Sequence, residues 1–143
     1  MKKRQRIIKV AAIILGVVVI ANVVPWLLET NPSVVQEPAW DSPQTRALAQ
    51  RACFDCHSNE TVWPVYARIA PISWLVTWDT LNGRRHLNFS EWGVRRGEGD
   101  NETARVIQRG DMPPAYYIAQ HPEAGLTANE KQQLIQGLQA TLK

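Results

Sequence analysis

The stretch RACFDCHSNETVWP, residues 51–64, decides most of what the sequence predicts about this chain. It contains both cysteines of the 143-residue chain, Cys53 and Cys56, and His57 follows directly. Two cysteines at this spacing can hold a structural zinc ion, form a redox-active disulfide or anchor a haem covalently. The remainder of the sequence distinguishes between these three chemistries.

Zinc and dithiol chemistry both lack the sequence context that they need. A structural zinc site takes four Cys or His ligands, and the other histidines, His86 and His121, have no paired spacing. A redox dithiol is typical of a βαβ context, and the sequence has no alternating strand pattern of useful length. A disulfide within the motif would close too small a loop to stabilise the fold much. Cys-x-x-Cys-His is the spacing of c-type haem attachment, so we expect thioether bonds from Cys53 and Cys56 and iron ligation by His57.

The first 28 residues are predicted to form a membrane anchor. Residues 10–28 are an uncharged, mostly apolar run of nineteen residues, close to the ~20 that a membrane-spanning helix needs. Basic residues precede this run, so the positive-inside rule predicts a single pass through a bacterial inner membrane, with the N-terminus inside and the haem domain in the periplasm. A cleaved signal peptide is the alternative, although its apolar region is shorter and small residues are expected where bulky ones stand at 23–28. Either arrangement exports the motif to the compartment in which haem c is attached.

The charge distribution argues against a nucleic-acid partner. Five of the 16 basic residues precede residue 10, and the rest of the chain has 11 basic and 13 acidic residues. A nucleic-acid-binding domain carries its positive charge on the folded part. We therefore expect the partners to be the membrane, through the N-terminal helix, and redox proteins.

Beyond the anchor, the sequence predicts an all-α domain. Residues 29–41 are interpreted as a linker and residues 42–143 as a haem c-binding domain. Helix signals occur at Ser42-Pro43, from Pro71 to Asn82-Gly83 with Ile72, Leu75, Val76 and Asp79 on one face, at Asn88 with Glu91, before Gly110, and at Thr127 with Glu130. Four or five short helices bury little apolar surface by themselves. We expect a small cytochrome c-like fold that is completed by one covalent haem.

A sixth iron ligand is predicted at Met112, in RGDMPPAYY. It is the only methionine apart from the initiator, and it lies on a proline-stiffened loop after the attachment motif. A thioether ligand raises the reduction potential relative to a second imidazole. His86 is the alternative distal ligand, His121 is expected to face solvent, and an open or water-bound iron is the remaining possibility.

Other side chains are predicted around the haem. Arginine matches carboxylate geometry, so Arg68, Arg84 and Arg85 are candidates for binding the haem propionates, although solvated arginines are the ordinary alternative. The aromatic residues Trp63, Trp74 and Trp78 are candidates for the walls of a haem pocket. They would equally serve as ordinary core residues.

Four segments together carry a family resemblance: CFDCHSNETVWPVYARIAPISWLV (53–76), GRRHLNFSEW (83–92), GDMPPAYY (110–117) and LTANEKQQLIQGL (126–138). They resemble the haem-binding domain family, whose members are short, exported bacterial domains with a CxxCH motif. The resemblance covers about residues 40–142. It implies covalent haem on Cys53 and Cys56 and ligation by His57, and similarity to other cytochromes c implies Met112 as distal ligand.

The function expected from these features is electron transfer. We expect a membrane-anchored mono-haem c-type cytochrome at the periplasmic side of a bacterial membrane. The alternative is a haem-based sensor of gases or redox state, with an open or weak distal site. We do not expect an enzyme, because no distal acid/base pair is recognisable and one haem stores one electron.

Overall fold

A computed structural model of the chain describes residues 2–94 and 100–142. The α-helices in the described chain are α1 Lys2–Leu28, α2 Pro43–Ala52, α3 Phe54–His57, α4 Ile72–His86, α5 Asp100–Arg109, α6 Ala115–Gln120 and α7 Ala128–Thr141. Two short 3₁₀ turns, Val65–Arg68 and Pro122–Ala124, complete the helical elements. The described residues form no strand beyond one isolated β-bridge, Gln36 to Glu91. The predicted all-α class is confirmed, and α1 is long and apolar enough to cross a membrane.

The described chain forms two compact units. The first contains residues up to Thr30 together with Trp63–Asp79. Here α1 contacts the 3₁₀ turn Val65–Arg68, while its apolar side chains are almost all exposed. Two hydrogen bonds join α1 to the later segment: Ala70 N–H to Asn22 Oδ1 at 3.0 Å, and Trp74 Nε1–H to the Ala21 carbonyl at 2.9 Å.

The first half of α4 has an unexpected polarity. Its small hydroxyl residues Ser73 and Thr77 are buried. Ile72 and Leu75, which the sequence places on one apolar face, are both exposed. This half of the helix therefore does not pack in the way that its spacing of apolar residues suggests.

The second unit contains residues 31–62 and 80–142 and has its own hydrophobic core. Helix α7 packs against α2 and α5. The buried core residues are Leu48, Ala49, Phe54, Leu87, Phe89, Ala104, Ile107, Leu134, Ile135, Leu138 and Leu142. The unit thus buries apolar side chains from both ends of its sequence.

Two helix starts occur where the sequence predicts them. Ser42 caps α2 by accepting from Thr45 N–H, with Pro43 at the first helical position. Thr127 and Glu130 form a reciprocal capping box at the start of α7. Both starts follow from residues that are adjacent in sequence, which is why the sequence reveals them.

Other boundaries differ from the prediction. Helix α4 continues past Asn82-Gly83 to His86. Gly83 is helical and does not end the helix; its missing side chain allows close approach to the backbone of Cys56. No helix follows Asn88: its side chain accepts from Ser90 N–H and donates to Asn59 Oδ1, which holds a turn. Glu91 pairs with Gln36 instead of capping. The prediction of a short helix at Asn88 is therefore wrong.

The predicted linker, residues 29–41, contains no helix. Residues 31–41 belong to the second unit, in which Glu37 forms a salt bridge of 2.6 Å with Arg46. The Trp40 ring packs on Phe89 at a centroid distance of 5.1 Å. The domain boundaries proposed from the sequence stay predictions, and this contact shows that the segment before residue 42 is packed against the domain.

Candidate functional site

The motif Cys53–His57 forms one tight helical turn. Backbone bonds run from the N–H groups of Cys56 and His57 to the carbonyl of Cys53, at 3.2 and 2.9 Å. Neither cysteine forms a disulfide, and both are half-buried. Dehydration raises the pKa of the Cys53 thiol to about 12, and the neighbouring Cys56 adds to this. The turn therefore presents two thiols without a disulfide on one short element.

An aromatic cluster packs this turn against the hydrophobic core. Phe54, between the two cysteines, is only 2% exposed. Its ring stacks on Phe89 at 5.6 Å and lies 6.2 Å from the ring of Trp40. The guanidinium of Arg46 lies 5.5 Å from the centre of the Phe54 ring, in cation–π range. Since Phe54 is held on several sides, the cysteines on either side of it are held as well.

The ring of His57 has a defined orientation. Its Nδ1 lies 3.0 Å from the carbonyl oxygen of Leu87. A carbonyl oxygen only accepts, so Nδ1 carries the hydrogen and Nε2 carries the lone pair in the neutral ring. Burial lowers the pKa of the imidazole, while its hydrogen bonds to the backbone of Leu87 and Gly83 act in the opposite direction. The result is a neutral histidine whose Nε2 is the nitrogen suited to a metal.

Helix α4 approaches the turn closely at Gly83. A Cβ at this position would collide with the backbone carbonyl of Cys56. Phe89 N–H also bonds to the His57 carbonyl at 2.8 Å. The turn is thus supported from one side by α4 and from another by the segment that follows it.

Asp55, between the cysteines, makes hydrogen bonds that the sequence did not reveal. Its Oδ1 accepts from Val62 N–H at 2.8 Å, and its Oδ2 accepts from the Tyr117 hydroxyl at 2.6 Å. Burial and then the carboxylate raise the pKa of Tyr117, so this hydroxyl stays protonated. The Tyr117 ring also stacks on His121 at 4.5 Å. No sequence signal identifies this pairing, because the partners are 62 positions apart.

Met112 lies on the loop between α5 and α6. Its backbone N–H bonds to the Val106 carbonyl at 3.3 Å, and its side chain is 40% exposed. The loop begins at Gly110, whose positive φ of 85° suits glycine. Tyr117 lies on the helix that follows Met112, so its bond to Asp55 joins this part of the chain to the motif turn. Ligation by Met112 stays a prediction.

Arg84 is occupied by contacts within the chain. This buried guanidinium donates from Nε to the Ser58 carbonyl at 2.7 Å. Its Nη2 donates to Asn31 Oδ1 and Thr61 Oγ1, both at 2.9 Å. Burial lowers its pKa. These bonds fix the segment directly after the motif, a supporting role different from the predicted contact with a propionate, which stays untested.

The next two residues of α4, Arg85 and the alternative ligand His86, are exposed. His121, expected to face solvent, is half-buried and has its Nδ1 3.2 Å from Glu123 Oε1. None of these observations assigns an iron ligand.

The remaining predicted site residues belong to the first compact unit: Trp63, Arg68, Trp74 and Trp78. Arg68 is exposed, and its charge lowers the pKa of Glu29, which burial raises more strongly. Trp74 donates to the Ala21 carbonyl of α1. Their predicted positions around a haem stay predictions.

In the part of the chain that the structure describes, the side chains form no site for direct binding of a metal ion. There, no three or more His, Cys, Asp or Glu side chains are grouped so as to hold an ion. The cysteines and His57 therefore do not converge on one point, as the ligands of a tetrahedral zinc ion do.

Comparison with known proteins agrees with the resemblance carried by the motifs. The family model of the haem-binding domain matches residues 14–140, which extends further toward the N-terminus than the segments identified from sequence. No curated protein and no solved structure matches the chain.

Proposed function

This chain belongs to the haem-binding domain family, and we propose that it is a membrane-anchored mono-haem c-type cytochrome that carries electrons at the periplasmic side of a bacterial membrane. One observation carries the proposal: two cysteines that form no disulfide share a single helical turn with a histidine whose ring is oriented by a hydrogen bond. Thiols that attach a haem and a histidine that ligates its iron need this proximity.

The residues present fit a covalently held haem. Cys53 and Cys56 would hold the haem by thioether bonds to its vinyl groups, each thiol hydrogen passing to the outer vinyl carbon as sulfur bonds to the inner one. This addition is redox-neutral and needs no oxidant, but it requires unlinked cysteines, as Cys53 and Cys56 are. The bond from His57 Nδ1 to the Leu87 carbonyl fixes the ring so that Nε2 is the donor atom, and it increases the basicity of the ligand.

The chemistry that a bound haem supplies is one-electron transfer at its iron. The protein contributes an orienting turn, a buried aromatic support under that turn, and a thioether candidate in Met112. Thioether ligation favours the reduced state and closes the iron to small molecules. An electron carrier of this kind would therefore use a second protein ligand in addition to His57.

A sensor is the competing function, because the Met112 side chain is 40% exposed and a weakly held ligand is readily displaced. Carbon monoxide distinguishes the two. A reduced protein that stays low-spin and resists carbon monoxide supports the electron carrier. Rapid stoichiometric binding supports the sensor.

The membrane location is supported by α1, which has an uncharged apolar run after a basic N-terminus. The positive-inside rule then favours a periplasmic haem domain. This location suits covalent attachment, which takes place outside the cytoplasm.

The attachment itself is tested by the double substitution Cys53→Ala and Cys56→Ala. We expect the wild-type chain to keep its haem on a denaturing gel, where haem staining coincides with the protein band. The double variant should lose that stain, while the control His86→Ala should keep it. A wild-type chain that releases its haem on denaturation would contradict c-type attachment.

A further inference from the structure

The first half of α4 is apolar on the outside and polar on the inside. Trp74 and Trp78 are 46% and 65% exposed, and Leu75 is exposed beside them, whereas Ser73 and Thr77 are buried. A helix at a water-facing surface has the opposite arrangement. Exposed apolar patches of this kind mark contact with an apolar partner.

The residues around this half of α4 are also uncharged and partly apolar at the surface. Residues 69–78 contain no charged side chain, and charges return only at Arg68 and Asp79. The preceding 3₁₀ turn adds Val65, which is 82% exposed. Apolar exposure is therefore shared by several side chains of the uncharged stretch 69–78 and is not confined to one of them.

Hydrogen bonds fix this segment beside the membrane-spanning part of α1. Ala70 N–H bonds to Asn22, and the Trp74 indole bonds to the carbonyl of Ala21. An α-helix rises about 1.5 Å per residue, so Ala21 lies roughly 10 Å before Leu28, the end of the apolar run. Where α1 crosses a bilayer, residues that contact Ala21 and Asn22 lie inside the boundary of its apolar layer.

The Asn22 amide at this contact is paired within the chain, as a lipid environment requires of a polar group. The Asn22 amide donates to the Val18 carbonyl at 2.8 Å and accepts from Ala70 N–H. Asn22 is the only amide side chain in residues 10–28, and these bonds explain how it is accommodated. The family match from residue 14 onward includes both partners of the contact.

We propose that residues 69–78 dip into the outer leaflet of the bilayer beside α1, with the exposed side chains of Leu75 and Trp78 in contact with lipid chains. The inference rests on the membrane anchoring in the proposed function. The occupant of this surface is lipid, because residues 69–78 carry no charge and are bonded to α1 below the end of its apolar run. Tryptophan is also the side chain most suited to the lipid–water boundary.

Spin labels test this placement in the full, haem-loaded chain. Single cysteines replace Leu75 and Trp78, with Ile14→Cys on α1 as the lipid control and Gln133→Cys, exposed on α7, as the water control. The protein is reconstituted into vesicles of phosphatidylethanolamine and phosphatidylglycerol. Collision of each label with oxygen and with a water-soluble nickel complex is then measured. The chain without an added cysteine should take no label, because Cys53 and Cys56 are bonded to haem.

We expect labels at positions 75 and 78 to match the one at 14, with oxygen collisions several-fold above nickel collisions, and the label at 133 to show the reverse. Nickel collisions at 75 and 78 equal to those at 133 would mean water exposure and overturn the proposal. Low collision with both reagents would overturn it too, by showing a protein or haem cover. A changed visible spectrum in Trp78→Cys would likewise assign Trp78 to the haem.

Two controls separate this inference from the proposed function. A label at 14 that behaves like the label at 133 would refute the anchor itself. Labelling of the chain without an added cysteine would refute covalent attachment. When both controls behave as expected, the labels at 75 and 78 test only the placement of the segment, and not the anchor or the haem attachment.

Discussion

The Tyr117 hydroxyl joins the segment that carries Met112 to the carboxylate between the two cysteines. Its 2.6 Å bond to Asp55 is charge-assisted, and such bonds are shorter and stronger than neutral ones. The carboxylate has a second donor in Val62 N–H, so it keeps one partner when the hydroxyl is removed. The bond therefore acts on the position of α6 more than on the shape of the motif turn.

Tyr117→Phe should lower the free energy of unfolding by about 1.5–3 kcal/mol, the typical contribution of a hydrogen bond to a charged group. The phenyl ring retains the stacking on His121. Urea denaturation of the haem-loaded protein measures the effect, with the exposed Gln120→Ala on the same helix as control. Equal midpoints for Tyr117→Phe and wild type would show that the bond contributes nothing.

Met112→Ala should lower the midpoint potential and alter the visible spectrum, because a thioether ligand raises the potential of a haem. His86→Ala is the matched control and should change neither quantity. Redox titration with spectroscopic detection gives both. If Met112→Ala leaves potential and spectrum as in wild type, Met112 is not the distal ligand.

The sequence reveals Cys53, Cys56 and His57 because attachment requires their fixed spacing. It does not reveal the roles of Asp55 and Arg84. Their partners lie up to 62 positions away, and such pairings depend on how the elements pack. Local chemistry is therefore readable from the sequence, whereas the support around it requires the fold.

Among the helices, α7 shows how a cap links stability to pH. The Glu130 carboxylate accepts from Thr127 N–H at 2.9 Å and also binds Arg51 at 2.7 Å. These bonds, first the one from the Thr127 backbone, lower the pKa of Glu130 from 4.5 to about 2. A lowered carboxyl pKa stabilises the fold above the unfolded value, and this stabilisation is lost as the pH falls from about 4.5 to about 2.

Glu130→Gln should therefore make stability less dependent on pH between about 4.5 and 2, since the ionised group is absent in both states. Thermal unfolding midpoints at a series of pH values measure this slope. Thr127→Ala, which removes the capping hydroxyl, should cost about 1 kcal/mol at neutral pH. An unchanged acid slope in Glu130→Gln would show that other carboxylates control acid stability.

The helix caps also show where local signals fail. Ser42 and Thr127 start helices as predicted, yet the similar pair at Asn88 and Glu91 does not. The Asn88 side chain bonds to Ser90 and Asn59 instead, so a local turn replaces the helix. The spacing of apolar residues likewise identifies α4 but not its orientation, because it does not show whether the apolar face packs against the protein or is exposed at the surface.

For the whole molecule, the orientation in the membrane is predicted from the basic residues that precede the apolar run of α1. We expect the chain to remain uncleaved, with its N-terminus in the cytoplasm. The intact mass of the haem-loaded protein should include residues 2–28, and protease added outside spheroplasts should degrade the haem domain. A mass that lacks these residues would establish cleavage, and protection of the haem domain would reverse the orientation.

The bonds from Ala70 and Trp74 to α1 have a practical consequence for preparing the protein. A shortened chain that begins at residue 29 would leave both N–H groups without the acceptors that Asn22 and Ala21 provide. It would also remove the contacts that α1 makes with the 3₁₀ turn Val65–Arg68. Trimming the anchor therefore damages the remainder instead of liberating a soluble fragment, and crystallisation should begin from the detergent-solubilised full-length chain.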